Sequence, residues 1–177
     1  LLTRKKILSS AEETTSGTVV AVTAAVTSVA VFNPKLSPQN IFGEGERRPA
    51  GNYLGTTDAA PGPRKAKLTW QNEVKPADGS LALLTAAGFR LNTGVYNPTS
   101  DMSLRKTRSY ALFEDGRKKI VAGGAGNVKL LIEPGKTLRM DWDVDAVWQS
   151  VSDVSLPAQS PLNAMPYICT AITWTIG

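Results

Sequence analysis

The chain contains no histidine. That removes the commonest general base, the commonest zinc ligand, and every serine–histidine or cysteine–histidine nucleophile pair. The single cysteine, Cys169, excludes an internal disulfide and a cysteine metal cluster. Its apolar neighbours predict a buried thiol that packs as a small hydrophobe. Aromatic residues make up only 7% of the chain, and most fall on strand faces expected to point inward, so no stacking platform for nucleobases is evident. Together these absences point away from an enzyme and from any bound cofactor or metal.

Basic residues are missing from the end of the chain. Residues 1–139 hold all 20 Lys and Arg with 11 acidic residues, while residues 140–177 hold only Asp141, Asp143, Asp145 and Asp153. Such segregation suits contact with nucleic acid, or head-to-tail association between oppositely charged faces. A long hydrophobic run is also absent. Arg4-Lys5-Lys6 followed by the stretch Val19 to Phe32 has the outline of a signal peptide. Glu12-Glu13 and "TTSG" interrupt it, however, and the apolar run falls short of the roughly 20 residues a membrane span needs. Its Val and Thr content favours β structure. A soluble, non-secreted protein is the expectation, with no membrane partner.

What is present suits one β-rich domain spanning 1–177: 42% hydrophobic residues, 15 glycines and 11 prolines, a mixture that favours turns and short strands. Residues 1–18 read as a polar N-terminal arm that needs a partner to be ordered. Val26 to Phe32 reads as a strand ended by Asn33-Pro34, and residues 37–63, dense in Gly and Pro, as a long functional loop. Lys67 to Lys75 alternates, with Leu68, Trp70 and Val74 on one side. In "DGSLALLTAAGF" Ser80 is placed as N-cap, Leu81, Leu84 and Ala87 recur at helical spacing, and Gly88 is placed as the stop.

From Arg105 onward the pattern is a meander. Asp115-Gly116 and Pro134-Gly135 mark turns, and Leu138, Met140, Trp142 and Val144 face inward on one strand. Ile168 to Ile176 reads as a closing strand. The predicted fold is mainly β: an antiparallel sandwich or barrel flanked by one short helix.

Three motifs invite chemistry. "VAGGAGNVKLL" packs Gly123, Gly124 and Gly126 together and has the look of a phosphate cradle. A phosphate loop needs a Gly-Lys-Ser/Thr ending or spaced glycines that open a helix. Here Val128 to Ile132 reads as a strand. The glycines are therefore expected to form a tight connection or bulge between strands, where positive φ or close backbone approach excludes a side chain. "DWDVD" opens like a calcium loop, but its sixth place is Ala146 and its twelfth Ser152. Asp141, Asp143 and Asp145 then form either a solvated strand face or an acidic stripe that lines a pore or meets a basic neighbour. The basic clusters Arg105, Lys106, Arg108 and Arg117-Lys118-Lys119 could touch a passing polyanion but offer no sequence-specific recognition.

An ordered series of segments carries a resemblance: "LLTRKKILSSAEETTSGT", "FNPKLSP", "GNYLGTT", "LTWQNEV" with "LALLTAAGF", "YNPTSD", "SYALFEDGRKKIVAGGAGNVKL" and "PGKTLRMDWDV". In order and spacing the chain resembles the tail tube proteins of tailed bacteriophages and prophages over most of residues 1–148. The resemblance weakens after Trp148, and many members of that family are longer. It implies a β-sandwich subunit whose strands join those of neighbouring copies in a ring, typically a hexamer. Such rings stack into a hollow tube in the virion tail, assembled in the host cytoplasm. The partners it implies are the tape-measure protein, terminator and baseplate proteins, and phage DNA in non-specific passage. A head–tail connector, neck or capsid decoration protein is the alternative. No catalytic residue carries over. Under this resemblance Arg4, Lys5, Lys6, Arg47, Arg48 and Tyr53 are candidates for contacts between subunits. Asp141, Asp143 and Asp145 would line the lumen or an interface, and Gly123, Gly124 and Gly126 would form a bend.

Overall fold

Alternation of apolar and polar residues builds most of this molecule, because successive side chains of a strand point to opposite faces. The computed structural model describes residues 6–22, 28–43, 60–75, 79–157 and 165–170. Its strands are β1 (Lys6–Glu12), β2 (Ser28–Val29), β3 (Val31–Gly43), β4 (Ala60–Glu73), β5 (Phe89–Asn92), β6 (Val95–Pro98), β7 (Arg108–Glu114), β8 (Arg117–Leu131) and β9 (Arg139–Asp153). Seven of them form one antiparallel sheet in the order β2-β1-β7-β8-β9-β4-β3, while β5 and β6 pair separately as a hairpin. The fold is mainly β with one short helix, as expected from the sequence, and a further single 3-10 turn at Met102–Leu104.

The first and last strands of the sheet are nearly one strand. Val29 pairs with Leu8 at one end and Val31 pairs with Asn72 at the other, leaving Ala30 between them. Two residues of chain span about 7 Å at most. The sheet must therefore curl until its ends meet there. The inner face holds the core: Leu8, Ala66, Leu68, Trp70, Tyr110, Leu112, Val121, Met140, Trp142, Val144 and Ala146, each buried. Trp70 stacks on Trp142 at 5.4 Å and tilts against Tyr110 at 5.5 Å. Each such large side chain contributes about 1.5–3 kcal/mol by leaving water. Trp142 Nε1 donates to Asn72 Oδ1 at 2.8 Å, which supplies the buried indole with its partner.

The helix closes the core but differs from its expected form. It is a 3-10 helix, Ser80–Ala87, with Gly88 at its C-cap in the left-handed region. Three residues per turn eclipse i and i+3. Ser80, Leu83 and Ala86 accordingly share the buried side together with Leu84, while Leu81 is exposed. Ser80 lies inside the helix, and the capping position belongs to Gly79. The expected series Leu81, Leu84 and Ala87 has the same spacing of three and is displaced by one residue, with Leu84 buried all the same.

Other expectations need correction. The N-terminal arm is not free over its described part. Lys6–Glu12 is an interior strand that pairs with β7 along its whole length and with β2 at Leu8 and Ser9. Leu8, Ser9 and Ser10 are buried there, so local polarity was a poor guide to a strand flanked on both sides. The loop assigned to 37–63 is strand at both ends, since β3 runs to Gly43 and β4 begins at Ala60. Pro38 is compatible with its strand because β3 lies at the sheet edge, and Pro61 because it precedes the part of β4 that pairs with β9, which starts at Lys65. Asn33-Pro34 does not end β3 but marks an irregularity between Phe32 and Lys35, with Asn33 at φ 49°. The glycine segment lies within one 15-residue strand, β8, instead of between two. Ile168 makes a single bridge to Thr137 and is exposed, and Cys169 is only half-buried; residues 171–177 lie outside the described residues.

Turn chemistry was legible. Asp115 and Gly116 both take positive φ, 52° and 75°, which is what a two-residue turn between β7 and β8 requires. The β5–β6 hairpin uses the same device at Thr93 and Gly94, a turn the sequence reading passed over.

Candidate functional site

Two surfaces gather the residues singled out by the sequence, and both lie on the outer side of the sheet. The first surrounds the glycines. Register shifts between Ala122 and Ala125 against β9, and between Arg108 and Tyr110 against β7, place one bulge in β8. Gly123 takes φ 67° at that bulge, a conformation side chains rarely adopt. Gly124 and Gly126 are required for space instead. A Cβ on Gly124 would lie 2.4 Å from the Tyr110 ring, and one on Gly126 would lie 2.1 Å from the Asp143 carbonyl oxygen.

The bulge cradles an anion of its own chain. The Gly123 N–H donates to Glu13 Oε1 at 2.8 Å, and Ser109 Oγ donates to the same oxygen at 2.7 Å. On Oε2, Thr107 Oγ1 donates at 2.6 Å and the Gly17 N–H at 2.8 Å. Glu13 is 3% exposed. Burial pushes its carboxyl up, but the hydrogen bonds from Thr107, Gly123, Ser109 and Gly17 outweigh that and hold it below the ordinary value. The resemblance to a phosphate loop was thus half informative. A backbone N–H does face a carboxylate, and the carboxylate belongs to Glu13, which in the sequence only separates the basic residues near the start from the apolar run at Val19 to Phe32. Its signal was indirect, in the glycines that receive it.

The second surface is the acidic stripe. On β9, Asp143 and Asp145 are exposed, and Asp141 is half-buried. The ladder sets Asp141 between Gln71 and Lys129, Asp143 between Thr69 and Asn127, and Asp145 between Lys67 and Ala125. Lys67 Nζ pairs with Asp143 at 2.8 Å, an interaction that raises the lysine above its ordinary value. The stripe therefore does meet a basic neighbour, and that neighbour is in the same chain.

The basic clusters are largely tied down. Arg108 is buried, its guanidinium donating to Ala82 O and Ser10 Oγ and lying 3.7 Å from Glu12. It fixes the 3-10 helix to the sheet and is not available to a polyanion. Lys118 donates to the Val22 carbonyl and sits over the Phe113 ring. Lys119 and Lys6 both pair with Glu114, holding its carboxyl below the ordinary range. Of the proposed subunit-contact residues, Lys6 thus has a partner within the chain. Arg4, Lys5, Arg47, Arg48 and Tyr53 lie outside the described residues.

No known family model and no curated protein sequence matches the chain. Among the described residues, no helix is long and apolar enough to cross a membrane.

The geometry leaves backbone, more than side chains, available to a partner. Among the described residues, β3 pairs with β4 on one side only. β4 meets β9 from Lys65 to Glu73, so its residues 60–64 continue, among those residues, with β3 alone. That hairpin arm projects roughly 16 Å past its last contact with β9, at about 3.3 Å per residue. Along the other edge, among the described residues, β1 has partners on its β2 side at Leu8 and Ser9 only.

Proposed function

We propose that this chain is a structural subunit of a bacteriophage or prophage tail tube, self-assembling into stacked rings around a channel for DNA. The observation that carries the proposal is the one-sided pairing, among the described residues, of β3 and of its hairpin with β4. An edge that long offers unpaired N–H and C=O groups to another chain, and monomeric proteins normally cover or shorten such edges. Pairing edge to edge around a closed ring removes them. The ordered series of segments resembling tail tube proteins supports the same reading, as does the segregation of charge along the chain. In this reading the partners are further copies of the chain, the tape-measure protein, and terminator and baseplate proteins. DNA passes without sequence recognition. No catalytic role is part of it.

Negative-stain electron microscopy of the purified full chain tests the proposal. Rings or tubes of uniform diameter are the expected result. A monomer that stays dispersed across protein concentration and salt would overturn it. A small ring that associates only with capsid or portal would move the protein to the neck.

A further inference from the structure

The Glu13 carboxylate joins three separate parts of the molecule. It begins the segment Glu13 to Val22, which leaves β1 and crosses the outer face of the sheet. Its two oxygens take hydrogen bonds from Gly17 of that segment, from Thr107 and Ser109 beside and on β7, and from Gly123 at the β8 bulge. Ser109 Oγ in turn accepts from the Val20 N–H at 3.1 Å. The segment ends on a second, smaller apolar cluster, separate from the main core, in which Val22 packs with Ala111 and Phe113, flanked by Ile7, Ala11 and Leu156.

The segment is a strap, held among the described residues by a short set of bonds. Besides the carboxylate and the Val20 bond, the Glu13 N–H donates to the Thr107 carbonyl at 2.9 Å and Lys118 donates to the Val22 carbonyl. No side chain of the strap enters the main core formed by β1, β4, β7, β8, β9 and the 3-10 helix. We propose that Glu13 is the latch of this strap: its ionised carboxylate holds residues 13–22 against β7 and β8. Neutralising it frees the strap and uncovers Ala111 and Phe113 while the curled sheet stays folded. The proposal does not depend on the tail tube reading.

The neighbouring charges favour a carboxylate that acts alone. Arg108, on β7, sends its guanidinium towards Ala82, Ser10 and Glu12. Lys118, on β8, is engaged with Val22 and the Phe113 ring. Glu12, the adjacent residue, lies near Lys106 and Arg108. Tyr110 is buried and remains protonated, since burial pushes its hydroxyl far up. The four donors to Glu13 are neutral, so protonation of this one group removes the charge around which they converge.

Amide hydrogen exchange on the full chain tests the latch. In Glu13→Gln at neutral pH, the amides of Gly17 and Val20 should exchange at least about tenfold faster, with Val128 and Trp142 in the β8–β9 ladder remaining much better protected than either. Should Glu13→Gln fail to fold, Thr107→Val removes one donor, keeps the charge, and should give the same pattern at smaller amplitude. Equal protection of the strap and ladder amides in the variant would overturn the proposal, because the strap would then open only with the whole fold. Unchanged exchange at Gly17 and Val20 would also overturn it.

Discussion

Glu13 and Asp143 are both carboxylates on the outer side of one sheet, and the molecule holds them in opposite ways. Glu13 is almost fully buried and meets four neutral donors. Asp143 is about half exposed and meets one lysine at 2.8 Å. In a buried site each hydrogen bond acts at low dielectric, and removing a partner strands the others. At the surface, water and salt screen the pair, and holding two long side chains together costs entropy. The short contact at Asp143 is therefore the less consequential of the two. Burial and the number of donors decide which charge is architectural and which is free to meet another molecule.

The largest expected effect falls between these two regions. Gly126 faces the backbone of Asp143 and Val144 with no room for a Cβ. Gly126→Val should therefore prise β8 from β9 and cost more than about 3 kcal/mol, read as a fall in the denaturation midpoint or as failure to fold. A mild effect would mean that the bulge can move.

Next comes the cradle itself. Glu13→Ala leaves four inward-facing donors without their acceptor and should cost about 3 kcal/mol in the same measurement. The pH dependence follows from the direction of the shift. The folded-state carboxyl lies below its ordinary value of 4.5, so its contribution is complete above that pH and is lost as pH falls through the lower, folded value. Glu114 shifts the same way, through Lys119 and Lys6, and adds to the acid sensitivity. Acid titration followed by denaturation should show stability flat near neutrality and falling below about pH 4.5, and Glu13→Ala should flatten that fall.

The smallest effect should belong to the stripe. Asp143→Ala is expected to leave the denaturation midpoint within the scatter of repeat measurements, since the pair it breaks is exposed. Replacing Asp141, Asp143 and Asp145 together by Lys should likewise leave the monomer folded. If the stripe lines a channel for DNA, tubes of that variant should form and retain DNA. Loss of assembly would place the stripe at a contact between subunits. A large loss of monomer stability in either variant would break the contrast with Glu13.

Much of the fold was legible because strands and tight turns are local devices. The alternation from Arg139 to Asp145, the Asp115-Gly116 turn and the inward series Met140, Trp142 and Val144 follow from a period of two and from glycine's tolerance of positive φ. The glycine cluster was legible as a bulge for the same reason. Less was legible where a neighbour far along the chain supplies the energy. Nothing local in "KILSSAE" marks a buried strand; it becomes one because β7 and β2 flank it. Nor does anything near Glu13 announce that Thr107, Ser109 and Gly123, about a hundred residues away, will converge on it. The helix face was displaced by one residue, because spacing fixes which side chains share a side and only packing against the sheet decides which side is buried.

By itself, the sequence determined a mainly β chain without histidine chemistry, its charge segregated along its length, its turns set by glycine. Those properties depend on residue type and near neighbours. Tertiary structure alone decided that the sheet curls until β2 and β3 meet at Ala30, that the glycine bulge receives Glu13, and that Lys67 answers Asp143. Each of these joins residues distant in the chain, and the energy that selects them arises only once folding has brought the partners together and removed the water between them.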